Sequence, residues 1–146
     1  MSPMIQPTQR HRRPQHALLL LGSVLLLHSL TGCTMPDERL GYSEYADGTL
    51  RHNLAAEPAE TGEAARRALE QMGMDDIAVD ATEGDAMLAA RTGDDDRIAI
   101  DVRRIRPGIT RIEIRTGVLG DRGLSQRILE KTERALLQRR ADGQGP

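Results

Sequence analysis

The chain has 146 residues, a formal net charge of −2 at pH 7, four histidines and one cysteine. Phe and Trp are absent and Tyr occurs twice, so the core of what must be one small domain has to be built from aliphatic side chains. Interspersed acids and bases argue against a nucleic-acid partner, and a single cysteine excludes an intramolecular disulfide.

Residues 1–32 have the three-part pattern of a secretory signal peptide. Arg10, Arg12 and Arg13 precede Ala17–Leu30, which is mostly aliphatic. These 14 residues would rise about 21 Å as a helix, less than the hydrocarbon core of about 30 Å. We therefore expect residues 1–32 to be removed, and an uncut signal anchor is the alternative.

The run ends in Leu30-Thr31-Gly32-Cys33, which is similar to the lipobox of bacterial lipoproteins. In that family the cysteine sulfur receives a diacylglycerol, the signal is cut just before it, and the new amino group is acylated. The resemblance thus implies lipidation of Cys33, and two or more acyl chains make a stable membrane anchor. Thr34 in place of Asp implies the periplasmic face of the outer membrane, by the sorting rule of enterobacterial lipoproteins.

Thr34–Asp47 shows neither strand nor helix periodicity. We interpret residues 33–47 as a lipidated tether. Tyr42 and Tyr45 would lie either at the lipid headgroups or, as we favour, on the edge of the domain.

Residues 48–138 are expected to form a single domain, and residues 139–146 a disordered tail. Thr49–Ala56 has the apolar spacing of a first strand. Pro58–Met72 has apolar residues at helical spacing, and Gly73 after it is a favourable C-terminal cap. The domain is therefore predicted to begin with a strand and a helix.

Alternating apolar and polar residues predict four more strands, separated by turns at Glu83-Gly84, Thr92–Asp96 and Pro107-Gly108. The pairing that follows from the first turn puts Val79 opposite Leu88, so both strands place apolar groups on one face.

Charges suggest a register for the last two strands. Arg103 opposite Glu113 and Asp101 opposite Arg115 would pair unlike charges, each pair contributing roughly 0.2–1 kcal/mol. A slip of two residues would instead set Asp101 against Glu113. We predict the first register.

Asp121 follows the last strand and can accept hydrogen bonds from the free N–H groups of a final helix. Apolar residues then continue at helical spacing to Leu136. Hairpin turns make neighbouring strands antiparallel. The sequence therefore predicts an α+β fold of order β-α-β-β-β-β-α, an antiparallel sheet of about five strands with two helices on one face.

The stretch Ile-Glu-Ile-Arg-Thr-Gly-Val-Leu-Gly-Asp at 112–121, with Leu-Ser-Gln-Arg-Ile at 124–128 and Lys131, resembles an uncharacterised family of small bacterial lipoproteins. In this domain of unknown function a strand ends in Gly-x-x-Gly-Asp and enters a Leu-Ser-x-x-Ile-x-x-Lys-Ile helix. The resemblance covers about residues 49–136, implies an envelope location and an α+β fold, and carries no assigned activity. It implies structural roles for the matching residues Gly117, Gly120, Asp121 and Ser125.

Groups suited to catalysis or metal binding are scarce once the leader is removed. His52 is then the sole histidine, and Ser125 gives no sign of lying beside it, so we predict no catalytic residue, no enzyme activity and no cofactor. Asp94–Asp96 lack the spacing of a calcium loop and are interpreted as an exposed turn, so no metal site is predicted. The glycines before the last helix could cradle an anion, but a capping Asp121 would occupy the same donors.

One face of the sheet is predicted to stay open if both helices cover the other. It would carry Arg97, Asp101, Arg103, Arg111, Glu113 and Arg115. This face is either solvated or meets a partner, an envelope protein or peptidoglycan. The sequence thus indicates a non-catalytic envelope lipoprotein that acts as a protein-binding accessory module. The alternative is a periplasmic carrier that holds a small apolar or anionic ligand between helices and sheet.

Overall fold

The computed structural model describes residues 38–143, in which two helices cover one face of a six-stranded antiparallel sheet. The strands are β1 (Ser43–Ala46), β2 (Thr49–Leu54), β3 (Asp75–Ala81), β4 (Asp85–Arg91), β5 (Arg97–Arg106) and β6 (Ile109–Thr116), and the helices are α1 (Pro58–Gln71) and α2 (Arg122–Ala141). Across the sheet the order is β1-β2-β6-β5-β4-β3. The predicted α+β fold is confirmed.

The predicted number of strands is too low by one, because β1 lies inside the segment interpreted as a tether. The chain reverses at Asp47 and Gly48, whose φ angles are +52° and +74°. Two successive residues of positive φ form the tight turn whose twist matches that of paired strands. Tyr45 on β1 packs against the core, at the domain edge as expected.

The other end of the domain also extends beyond its predicted limit. α2 continues to Ala141, so residues 139–141 are helical and do not belong to a tail. Thr132 is fully buried in this helix, and its hydroxyl donates to the carbonyl oxygen of Ile128 at 2.8 Å. This bond satisfies a polar group at a position where an aliphatic residue is usual in the family that the sequence resembles.

The core between sheet and helices is aliphatic, as the composition requires. Its least exposed side chains, at most 1% accessible, include Leu69, Ile98, Ile100, Ile112, Ile114 and Ile128. α1 begins at Pro58 and ends before Gly73, whose φ of +67° is typical of a helix C-terminus, so the predicted helix is confirmed.

α1 lies close to the sheet because the residues that face β4 are small. Ala64, Ala65 and Ala68 are buried, and a Cβ added at Gly62 would lie 3.0 Å from the Cβ of Ala86. Glycine inside a helix costs about 1 kcal/mol relative to alanine. At this position it allows the close approach of helix and strand.

We expect Gly62→Val to lower the free energy of unfolding by about 1–3 kcal/mol, because a branched side chain would overlap Ala86. Urea unfolding would measure this loss. The same substitution should cost less in an Ala86→Gly background, where the facing methyl group is absent. An equal cost in both backgrounds would show that the two positions are not in contact.

The hairpin of β3 and β4 has the predicted pairing, with Val79 opposite Leu88. The predicted register of β5 and β6 is wrong. Asp101 lies opposite Glu113, and Arg103 lies opposite Arg111. This is the arrangement that unlike-charge pairing disfavoured.

The turn between β5 and β6 sets the observed register. Gly108 has a φ of +75°, Arg106 pairs with Ile109, and an irregularity between Arg104 and Arg106 shifts the pairing by one residue. Cross-strand charge pairs contribute less than about 1 kcal/mol each and do not override the geometry of a tight turn.

Candidate functional site: the open face of the sheet

The face of the sheet opposite the helices, here called the open face, brings the six predicted partner residues together on β5 and β6. Arg97, Asp101, Arg103 and Arg115 are exposed, Glu113 is half-buried, and Arg111 is buried. The side chains between them on each strand, such as Ile100 and Ile114, point into the core. Four of the six predicted residues are therefore accessible to a partner.

Glu113 is the centre of a small charge cluster. Arg103 Nη2 lies 2.7 Å from Glu113 Oε1, and Arg51 Nε lies 3.6 Å from Oε2. Arg51 is directly opposite Glu113 on β2, whereas Arg103 reaches it diagonally. The two cations offset the repulsion between Glu113 and Asp101. Sequence reasoning missed Arg51, although its position between Leu50 and His52 marked it as outward-facing.

Arg111 is predicted to contact a partner, but its side chain is only 8% exposed and is therefore not accessible to one. Its Nε donates to Asn53 Oδ1 at 3.1 Å, and the Asn53 amide donates to the carbonyl oxygen of Arg39 at 2.8 Å. Gly41 and Tyr42 continue the pairing with β2 through backbone bonds to Asn53 of 3.0 Å. The chain that enters the domain is therefore bonded to this corner of the open face through Asn53.

The middle of the open face is flat. Ala89 and Ala99 lie opposite each other on β4 and β5, and both are half-buried. On β5, Arg97 precedes this row of alanines and Asp101 follows it, and neither side chain forms an ion pair within residues 38–143. Met87, opposite Asp101, is 56% exposed.

Two shallow clefts open on this face. One, of about 500 Å³, is lined by residues that include Arg97, Ala99, Arg115 and Val118. The other, of about 300 Å³, is lined by residues that include Met87, Asp101, Arg103 and Glu113.

The Gly-x-x-Gly-Asp turn has the structural geometry that the family resemblance implied. Gly117 and Gly120 have φ angles of +69° and +84°. Asp121 Oδ1 accepts from the N–H of Leu124 at 2.9 Å, which is the predicted cap of α2. Ser125 is fully buried, and its hydroxyl lies 3.2 Å from that of Thr116. The capping carboxylate occupies a donor that an anion would need.

His52 has neighbours that sequence reasoning did not predict. Ser43 on β1 lies opposite His52 on β2. The Nε2 atom of His52 lies 3.2 Å from Glu133 Oε1 on α2. Its Nδ1 is buried and has no hydrogen-bond partner among the described residues. A general base must reach the proton that it removes. The one free nitrogen of this imidazole faces the interior and cannot reach a substrate.

Burial lowers the pKa of His52 below its usual 6.5, against an opposing effect of the Glu133 carboxylate. Near pH 6 the folded state thus binds fewer protons than the unfolded state, so the free energy of unfolding falls as the pH drops below about 6.5. We expect His52→Gln to flatten this dependence. Urea unfolding of both proteins at pH 7.5 and pH 5 would measure it, and equal losses would contradict the assignment.

Asp94–Asp96 form the predicted exposed turn between β4 and β5. Asp95 has a φ of +67°, and its carboxylate lies 2.9 Å from Arg91 Nη1. Residues 38–143 contain no group of three side chains that could hold a metal ion. Neither α1 nor α2 has the length and apolar content that a membrane crossing requires.

The model of a family described as a protein of unknown function, DUF3568, matches residues 16–135. No curated protein matches the chain. The matched range contains Cys33, which lies outside the residues that the structure describes, together with the Gly-x-x-Gly-Asp turn.

Proposed function

We propose a function from the premise that the chain belongs to the DUF3568 family of proteins of unknown function. In this proposal it is a non-catalytic lipoprotein of the cell envelope, and it binds a protein partner through the open face. The observation that carries the proposal is that α1 and α2 cover one face of the sheet and leave the charged face uncovered within residues 38–143.

The proposed anchor is Cys33, acylated after residues 1–32 are removed, at the periplasmic face of the outer membrane. Four residues lie between Cys33 and Glu38, where the described domain begins, so five residue-to-residue steps join the two. A chain of this length spans at most about 18 Å, so the domain would stay close to the lipid surface. Mass spectrometry of the native protein tests this: an acylated residue 33 at the new N-terminus is expected, and a free thiol with the leader attached would refute it.

The arrangement around His52 supports the non-catalytic part of the proposal. The buried Nδ1 and the Nε2 held by Glu133 leave no imidazole nitrogen available to activate the hydroxyl of Ser43.

The packing of α1 supports a binding module over a ligand carrier. A carrier needs a cavity between helices and sheet. The buried alanines of α1 and the close approach of Gly62 to Ala86 leave little space between α1 and the sheet. The clefts described above open instead on the outer face of the sheet.

Photo-crosslinking in cells tests the binding face. A photoreactive amino acid would replace Arg103 on the open face of the full chain, and in a control it would replace Arg134, which is exposed on α2. We expect discrete protein adducts from position 103 and none of the same mass from position 134. Identical patterns from both positions, or no reproducible adduct from 103, would contradict the proposal. Adducts to peptidoglycan alone would show that the open face binds the cell wall and not a protein.

A further inference from the structure

We propose that the outer edge of β3 binds an extended segment of a partner protein, in which apolar and cationic residues alternate, as an additional strand of the sheet. β3 is the last strand of the sheet, and within residues 38–143 it pairs only with β4. The backbone groups on the unpaired side of an edge strand are a template for a further strand. The contact is made at the edge of the sheet and not on the open face, so it is independent of the proposed function.

The free backbone groups of β3 belong to Val79 and Ala81. The N–H of Thr82 donates to the carbonyl oxygen of Asp85 at 2.9 Å, which makes these two residues a hydrogen-bonded pair. Such pairs alternate along an antiparallel ladder, so every second residue of β3 before Thr82 also bonds to β4. The residues between them, Val79 and Ala81, therefore direct both N–H and C=O away from β4, toward an incoming strand.

This part of the edge lacks the features that usually block a further strand. Edge strands are commonly protected by lysine, proline, a bulge or a covering segment. β3 contains neither lysine nor proline, and its bulge lies between Asp75 and Ala78, before the free groups begin. Residues 78–81 are all exposed, so no helix or loop in the described part of the chain covers them.

The helix side of this edge offers an apolar contact. Val79 lies opposite the buried Leu88 and therefore points to the side of the sheet that the helices cover, yet it is 43% exposed. Met74 and Ile77 are also only partly buried against the core. The residues of an added strand that lie opposite Val79 and Ala81 would point to this same side. Apolar residues at those positions would bury the exposed part of Val79.

The position between these two residues favours a cation in the partner. Asp80 lies opposite Met87 and points to the open face, where its carboxylate is exposed and forms no ion pair within residues 38–143. β3 has three aspartates and no cation, and Arg91 on β4 lies 3.9 Å from Asp76, at the other end of the strand. A lysine or arginine opposite Asp80 would form a cross-strand pair of unlike charges.

A second copy of β3 does not meet these requirements. The antiparallel pairing that uses all the free groups sets Val79 against Ala81 and therefore Asp80 against Asp80. Like charges directly opposite each other destabilise a strand pair, and each copy would add three aspartates and no cation. The segment that fits has the order apolar, cationic, apolar opposite Ala81, Asp80 and Val79.

A synthetic peptide tests the edge directly. Acetylated Val-Lys-Val-Lys-Val would place its valines on the helix side and its lysines on the other side, and Val-Glu-Val-Glu-Val is the control of opposite charge. NMR of the isotope-labelled full chain in detergent measures amide hydrogen exchange residue by residue. We expect the lysine peptide, at about ten times its Kd, to slow exchange at Val79 and Ala81 about tenfold. The glutamate peptide should leave both exchange rates unchanged.

Two variants separate the backbone contact from the charge. Ala81→Pro removes an outward N–H and keeps the bonds of β3 to β4, so it should abolish the protection at Val79. Asp80→Lys should weaken binding of the lysine peptide about tenfold and make the glutamate peptide the better ligand. Glu44→Lys, on the edge strand at the other end of the sheet, is the matched control and should bind both peptides as the parent does. Unchanged thermal unfolding midpoints separate a lost site from a lost fold.

Several outcomes would overturn the inference. Equal affinity of the parent for the two peptides would contradict the role of Asp80, and protection confined to β5 and β6 would place the peptide on the open face. Slow exchange at Val79 and Ala81 in the free chain would show that the edge is already covered, by a second copy if the rate depends on chain concentration and otherwise by another segment. Crosslinking from Arg103 tests the open face separately, so either proposal can fail without the other.

Discussion

Gly120→Ala is expected to lower the free energy of unfolding by about 3–5 kcal/mol, which is a large part of the stability of a domain this small. Gly120 has a φ of +84°, and a Cβ there would lie 2.4 Å from both Cα and O of Gly48. Gly48 in turn has no room for a Cβ beside the carbonyl oxygen of Leu119, at 2.6 Å. Both neighbours are backbone atoms, so no side chain can rotate away. The substitution would force the β1–β2 turn away from the turn that begins α2.

Gly108→Ala is the matched control for this prediction. Its φ of +75° is similar, but no atom lies within 4 Å of its added Cβ. Gly108→Ala should therefore lower the free energy of unfolding only by the cost of placing alanine in the left-handed backbone conformation, about 1–2 kcal/mol. Urea unfolding of both variants isolates the steric part as the difference. Similar losses for the two variants would mean that the turns at Gly48 and Gly120 do not touch.

The elements that the sequence predicted are those with long periodic patterns. α1 has apolar residues at helical spacing between Pro58 and Gly73, and both of its predicted ends are close to the observed ones. Outward and inward residues alternate over residues 97–103 of β5 and 111–115 of β6. β1 has only four residues and shows no period, but the Asp47-Gly48 dipeptide after it is a hairpin signal that periodicity alone does not reveal.

The register of β5 and β6 could not be predicted from the pattern of the strands. A slip of two residues keeps every side chain on its own face, so burial does not distinguish the two registers. The turn at Gly108 and the irregularity beside it decide the outcome. The contact of Glu113 with Arg51 and the pairing of Asp101 with Met87 depend on the registers of two other strand pairs, which the strand patterns did not predict.

The sequence therefore predicted which side of the sheet forms the candidate site, but not which of its residues are accessible. Alternation alone places six charged residues of β5 and β6 on the side away from the core. It does not show which of them the rest of the chain covers. Arg111 is buried and donates to Asn53, which in turn is bonded to residues 39–42, and these residues belong to a segment in which the sequence indicated no structure. Long-range contacts of this kind are set by the fold and leave no local pattern.

Asn53→Ala is expected to lower the free energy of unfolding by about 2–4 kcal/mol. Asn53 is 1% exposed and connects the buried side chain of Arg111 to the backbone of Arg39. Its carbonyl oxygen accepts from Arg111 Nε, and its amide donates to Arg39 O. Alanine would leave a buried guanidinium without this acceptor and would release the chain that enters the domain. We expect faster hydrogen exchange in residues 39–46 together with the loss measured by urea unfolding.

Asn53→Asp separates the two roles. The carboxylate keeps an acceptor beside Arg111 and adds a charge that favours the contact, but it cannot donate to Arg39. The free energy of unfolding should therefore fall by only about 1 kcal/mol, while hydrogen exchange in residues 39–46 should still be faster than in the parent protein. If Asn53→Asp is as unstable as Asn53→Ala, the bond to Arg39 contributes more than the bond to Arg111. In that case the entering segment, and not the buried arginine, holds this corner of the open face together.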